Sequence, residues 1–185
     1  RTQAWLVRPF DFQVDAETAS YRMQRHFLAD AALQWVHSAF TEESFQNFLG
    51  RFFSFIKHRE EKTVTSEVIQ KVTNELFVMK VERRIEELLK NPIGRRVNRL
   101  VARVNPGLEA KRQLKRYLTL FEREKKGFLS EKLVIGHGDS CLSNILYDQE
   151  RLLLRLVDPK GGLSKDELWT HPYYDLCKLS QCILG

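Results

Sequence analysis

His137-Gly138-Asp139-Ser140-Cys141-Leu142-Ser143-Asn144, the apolar run Ile145-Leu146-Tyr147, a polar turn at Asp148-Gln149-Glu150, a second apolar run Leu152–Val157, and Asp158-Pro159-Lys160-Gly161-Gly162 form the stretch that decides the fold. The two apolar runs around the polar turn read as a tight β-hairpin. Such a hairpin brings its outer ends together, so Asn144, opening one strand, and Asp158, just past the other, converge. Lys132–Gly136 reads as a short buried strand whose end places Asp139 on a loop. Two neighbouring oxygen ligands with a carboxylate opposite suit Mg²⁺, which takes hard oxygen donors, few of them from protein. The remaining carboxylate can accept or orient the proton of an attacking hydroxyl.

Upstream of this stretch the period changes from strand to helix. Phe27–Phe40 is an apolar-rich helix candidate, and Thr41-Glu42-Glu43 has the form of an N-cap followed by first-turn acids. Phe45, Phe48, Phe52 and Phe55 recur at three- and four-residue steps to about His58, a spacing that marks a core face rather than a cofactor box. Ser66–Lys90 repeats the pattern with Ile69, Val72, Leu76, Val81, Ile85 and Leu88, until Asn91-Pro92 ends it. Asn105-Pro106-Gly107 is a second break, and Leu108 to about Phe128 a further amphipathic helix. At the start, Ala4–Phe10 and Thr18–Met23 read as a strand pair separated by the polar Asp11–Glu17 stretch, too small to stand without a partner sheet. At the end, Pro172 opens a helix carrying Leu176, Leu179 and Ile183.

Length and charge bound what such a chain does. Its 185 residues suffice for one domain with a core, and 43% apolar with 29% charged residues excludes both a disordered chain and a membrane span. Residues 1–50 carry 4 basic and 6 acidic side chains, residues 51–130 carry 20 and 10, and residues 131–185 carry 6 and 8. The densest basic part, Arg95–Arg116, reads as a solvated helical face; without aromatic residues to stack bases it predicts no specific nucleic-acid partner. Cys141, Cys177 and Cys182 form neither a CxxC pair nor a disulfide framework, which predicts free thiols, no zinc site and a reducing cytoplasmic setting. Arg1 without an initiator Met, and an end within an apolar pattern at Ile183-Leu184-Gly185, point to a piece of something longer.

The run His137-Gly138-Asp139-x₄-Asn144 followed by Asp158 resembles the signature of the aminoglycoside phosphotransferase/choline kinase family, small-molecule relatives of protein kinases. The fuller wording, HGDSCLSNILYD…LVDPKGG…HPYYDLCKL, is similar to a bacterial branch associated with capsule or surface-polysaccharide loci. The motif portion covers about residues 132–182. The resemblance implies an α+β, protein-kinase-like fold: a remnant of the N-lobe sheet and hinge over residues 1–25, then a mainly helical C-lobe over residues 26–185 with a catalytic β-hairpin. It implies a cytoplasmic ATP- and Mg²⁺-dependent phosphotransferase that acts on a small-molecule hydroxyl acceptor, by analogy a sugar or polysaccharide precursor.

Carried over residue by residue, the resemblance makes Asp139 the catalytic aspartate, Asn144 and Asp158 the Mg²⁺ ligands, and His137 a structural support of the catalytic loop. Asp175 anchors that loop from the following helix, Met23 sits near the hinge that meets adenine, and Lys160 touches phosphate or substrate. Each has a plainer alternative: a satisfied core histidine at 137, a helix-start acid at 175, a solvated lysine at 160 and a turn aspartate at 158. The chain also departs from the family. No Gly-rich nucleotide loop precedes Gly136, since Gly50, Gly94, Gly107 and Gly127 stand alone, and Lys160 replaces the arginine of the family's DPRG. A non-catalytic kinase-like module that binds a nucleotide or a partner is the competing reading, and a basic nucleic-acid-binding protein a third.

Overall fold

The computed structural model describes residues 2–128, 130–162 and 164–184. After a 3₁₀ turn at Thr2–Trp5 come β1 (Pro9–Val14), β2 (Ala19–Met23), α1 (Ala31–Val36), α2 (Glu42–Lys57) and β3 (Glu61–Thr63). Next are α3 (Ser66–Asn74), a π-helical stretch at Glu75–Met79, α4 (Lys80–Lys90), α5 (Pro92–Val104) and α6 (Ala110–Glu124). The chain closes with β4 (Lys132–Ile135), β5 (Ile145–Asp148), β6 (Leu153–Leu156), β7 (Trp169–Thr170) and α7 (Tyr174–Leu184). The fold is α+β, helix-rich with small sheets. No helix among the described residues is long and apolar enough to cross a membrane.

The chain divides into two compact units, residues 1–62 with 134–185, and residues 63–133. The first takes in residues 1–25, the segment expected as an N-lobe remnant, and it holds the expected hairpin. β5 and β6 pair antiparallel, Ile145 opposite Leu156 and Asp148 opposite Leu153. Asp148 shapes the turn by accepting from the backbone N–H groups of Glu150 and Arg151 at 3.0 Å each. Single bridges cover both outer edges, Leu6 beside Leu156 and Asp30 beside Leu146. Alternate hairpin residues Ile145, Tyr147, Leu154 and Leu156 are buried against Phe48, Phe52 and Phe55 of α2 and against Leu179 of α7. The phenylalanine stripe is therefore core: these three side chains have no exposed surface. Thr41 caps α2 through a reciprocal pair with Ser44.

Several elements differ from the sequence reading at their ends, each for a local reason. The first strand runs over Pro9–Val14 instead of Ala4–Phe10, because the Asp15 carboxylate accepts from Glu17 N–H, Thr18 N–H and the Thr18 hydroxyl. That turn pairs Val14 with Ala19 and sets the register. The expected helix over Phe27–Phe40 contracts to α1: Asp30 caps it by accepting from Leu33 N–H at 2.8 Å, and Ser38 ends it in the left-handed region, φ 55°. Pro172 lies in a turn and not at a helix start; the His171 ring accepts the Tyr173 N–H, and α7 begins at Tyr174.

In the second unit the long periodic segment after Ser66 is interrupted by the π stretch, and the Tyr117 hydroxyl of α6 donates to the Phe77 carbonyl there at 2.6 Å. Asn91 caps α5 by accepting from Ile93 and Gly94 N–H, and Glu109 caps α6 by accepting from Arg112 N–H. The helix expected over Leu108–Phe128 is thereby shortened at both ends, with 3₁₀ turns at Pro106–Leu108 and Lys125–Phe128.

Candidate functional site

β4 ends at Ile135, and the loop after it is built around one carboxylate. Asp175, in the first turn of α7 and fully buried, accepts from His137 N–H at 3.1 Å and from Gly138 N–H at 2.8 Å. The Ser140 hydroxyl donates to the Asp175 carbonyl at 2.9 Å. On its other side the carboxylate meets Arg59 Nη1 at 3.1 Å, an ion pair with almost no exposed surface. Arg59 also donates to the carbonyls of Ile56 and Pro172, so its charge is fully engaged. Burial pushes the Arg59 pKa down, and the Asp175 charge opposes that.

Two glycines let the loop approach so closely. A Cβ at Gly136 would stand 2.5 Å from Asp175 Oδ2. Gly138 has φ +79°, and a Cβ there would stand 2.7 Å from the Cβ of Lys160. His137 ties the loop to the hairpin exit. Its Nδ1 accepts from Asp139 N–H at 3.2 Å, which leaves the proton on Nε2 to donate to the Val157 carbonyl at 2.8 Å. Both ring nitrogens are occupied and the side chain is fully buried.

Asp139 follows, half-buried, with its Oδ1 2.7 Å from Lys178 Nζ. The hydrogen bond to Asp139 raises the Lys178 pKa, against an opposing effect of burial. Asn144 donates its side-chain amide to the Asp139 carbonyl at 2.9 Å, which commits its nitrogen and leaves its oxygen as the end able to ligate. Across the hairpin, Val157 N–H donates to the Asn144 carbonyl at 3.0 Å, placing Asn144 and Asp158 at the same open end. Asp158 is exposed and lies in the left-handed region, φ 55°, a conformation that aspartate tolerates better than most residues. Lys160 N–H donates to the His137 carbonyl at 2.8 Å, and its side chain is exposed.

Beside this end lies a cleft of about 580 Å³. Asp158 and Pro159 border it on one side, and Phe12, Tyr21 and Met23 of the β1–β2 hairpin on another. The lining combines apolar side chains with one carboxylate, as clefts that take small molecules do. Asn144 and Asp158 are the residues able to hold a divalent cation here. No cluster of three or more His, Cys, Asp or Glu placed for a metal ion occurs among the described residues. A two-ligand oxygen pair is what a hydrated Mg²⁺ shared with phosphates needs.

The structure thus brings together His137, Asp139, Asn144, Asp158 and Asp175, sets Met23 on the adjoining cleft, and leaves the Lys160 side chain in solvent. Sequence reasoning missed Arg59 and Lys178. Lys178 was within reach, because it lies three positions after Asp175 in the same helix, which puts both on one face. Arg59 carried no such signal: it follows Lys57-His58 at the end of α2 and meets a partner 116 residues away. The three cysteines are free thiols. No family model, no curated protein and no solved structure matches the chain.

Proposed function

We propose that this chain is the phosphoryl-transfer lobe of a protein-kinase-like enzyme that moves the γ-phosphoryl of ATP, with Mg²⁺, to a hydroxyl of a small molecule, a sugar-type acceptor by analogy. The observation that supports this reading best is the convergence of Asp139, Asn144 and Asp158 on one buried scaffold made by Asp175, Arg59 and His137. When bound, the metal-nucleotide supplies the phosphoryl group and the cation that offsets its developing charge. The chain's residues supply position. Lys178 holds one oxygen of Asp139, so the carboxylate is aimed and its other oxygen can accept an acceptor hydroxyl's proton. Asn144 and Asp158 would hold the cation at the hairpin's end, and Phe12, Tyr21 and Met23 would give a nucleotide base an apolar wall. Accurate placement by a rigid loop is the main contribution such chemistry asks of a protein.

Titration calorimetry with ATP, with and without Mg²⁺, tests the reading. Binding is expected to require Mg²⁺ and to weaken by at least roughly tenfold in Asp158→Ala. Asp139→Ala is expected to bind the nucleotide as the parent does and to lose phosphoryl transfer. Binding indifferent to both Mg²⁺ and Asp158 would overturn the site. Transfer retained without the Asp139 carboxylate would overturn its role, and binding without any transfer in the parent would favour the non-catalytic module.

A further inference from the structure

In helix α5 the apolar side of the sequence is turned away from the unit that carries it. On a helix of 3.6 residues per turn, Ile93, Val97, Leu100, Val101 and Val104 fall on one side. They are exposed: Ile93 by 73%, Val97 by 50%, Leu100 by 51% and Val104 by 89%. The side that packs is the small and polar one. Gly94 is buried, and a Cβ there would collide with the backbone of Leu88. Asn98 accepts from Ala110 N–H at 2.9 Å and so docks α5 onto the start of α6. Folding of the unit covers much of Val101 and half of Val97 and Leu100 but leaves most of Ile93 and Val104 in water, and a contiguous apolar stripe left exposed marks an interaction surface.

The charges beside the stripe say what it meets. Arg96, Arg99 and Arg103 run along one flank with Arg95 behind them, and residues 92–108 contain no acidic side chain. Residues 63–133 carry 17 basic and 9 acidic side chains, whereas the rest of the chain carries 13 and 15. The basic excess is therefore confined to the unit that bears the stripe. A second copy docking through the same face would set arginines against arginines. A nucleic acid would take the arginines but leave the apolar stripe in water, and α5 has no aromatic residue to stack a base. An anionic lipid surface satisfies both halves, because acyl chains receive the stripe while lipid phosphates and carboxylates receive the arginines.

We infer that α5 is an interfacial helix: its exposed stripe Ile93–Val97–Leu100–Val104, flanked by Arg96, Arg99 and Arg103, seats the protein on an anionic membrane surface without crossing it. The test is co-sedimentation of the full chain with vesicles of phosphatidylcholine alone and of phosphatidylcholine containing phosphatidylserine. Binding is expected only to the second, and to fall as salt rises. A single arginine near an anionic surface is worth about fivefold in partitioning, so Arg96→Gln, Arg99→Gln and Arg103→Gln together lower it by about 100-fold. Val97→Ser, Leu100→Ser and Val104→Ser together lower it by at least roughly tenfold. All six side chains are exposed, and far-UV circular dichroism of both variants is expected to match the parent. Equal binding to the two vesicle types overturns the inference, as does binding that survives the serine variant. Self-association abolished by the serine variant, or salt-sensitive DNA binding unaffected by it, without lipid binding, overturns it in favour of those occupants.

Discussion

A buried carboxylate is costly unless every lone pair has a donor, and Asp175 shows what that cost secures. Two backbone N–H groups of the His137–Asp139 loop and the Arg59 guanidinium converge on it. Replacing it strands a buried guanidinium and two backbone donors. Asp175→Ala is expected to lower the unfolding free energy by about 3–5 kcal/mol, read from urea denaturation. Arg59→Met leaves the buried Asp175 carboxylate without its counter-charge and is expected to cost a similar amount. An Asp175→Ala protein as stable as the parent would show that the loop does not depend on this anchor. The residues of the motif were legible in the sequence because their spacing along the chain mirrors their chemistry. The Asp175–Arg59 pair was not, because nothing local to either residue encodes a partner more than a hundred positions away.

At the scale of elements, end groups decide what hydrophobic periodicity leaves open. Asp30, Thr41, Asn91 and Glu109 each accept a backbone N–H at a helix start, and three of these starts fall within a few residues of where periodicity placed a helix or break. The fourth, Asp30, removes several residues from the expected helix. The Glu109 carboxyl lies below its ordinary value, chiefly because it accepts the Arg112 N–H. A carboxylate with a lowered folded-state pKa stabilises the fold above its ordinary value and loses that contribution as pH falls through the lowered one. The Asp148 carboxyl, lowered chiefly by the Arg151 N–H, acts with the same sign. The urea midpoint is therefore expected to fall as pH drops below about 4.5, the ordinary glutamate value. Glu109→Gln is expected to flatten part of that dependence. An unchanged pH profile in this variant would show that the cap contributes nothing.

Across the whole molecule the two units are built differently. The first surrounds a core of aromatic and branched side chains, Phe48, Phe52, Phe55, Ile145, Leu154 and Leu156 among them. In residues 63–133 the buried apolar side chains among the described residues are Ile69, Ala110 and Leu133. Opening free energy follows buried apolar contact, so amides of α2 and the β5–β6 hairpin are expected to exchange more slowly than those of α4 and α5. Hydrogen exchange followed by mass spectrometry reads this directly, and uniform protection would contradict it. By itself the sequence determined the hairpin, the phenylalanine face of α2, the breaks at Pro92 and Pro106, and the grouping of Asp139, Asn144 and Asp158. All of these rest on periods and turns shorter than about twenty residues. Only the tertiary structure decided that Arg59 neutralises Asp175, that Lys178 reaches Asp139, and that α5 buries Gly94 while leaving Val97 and Val104 in water. Those outcomes depend on which faces meet, and that choice belongs to packing between segments far apart in the chain.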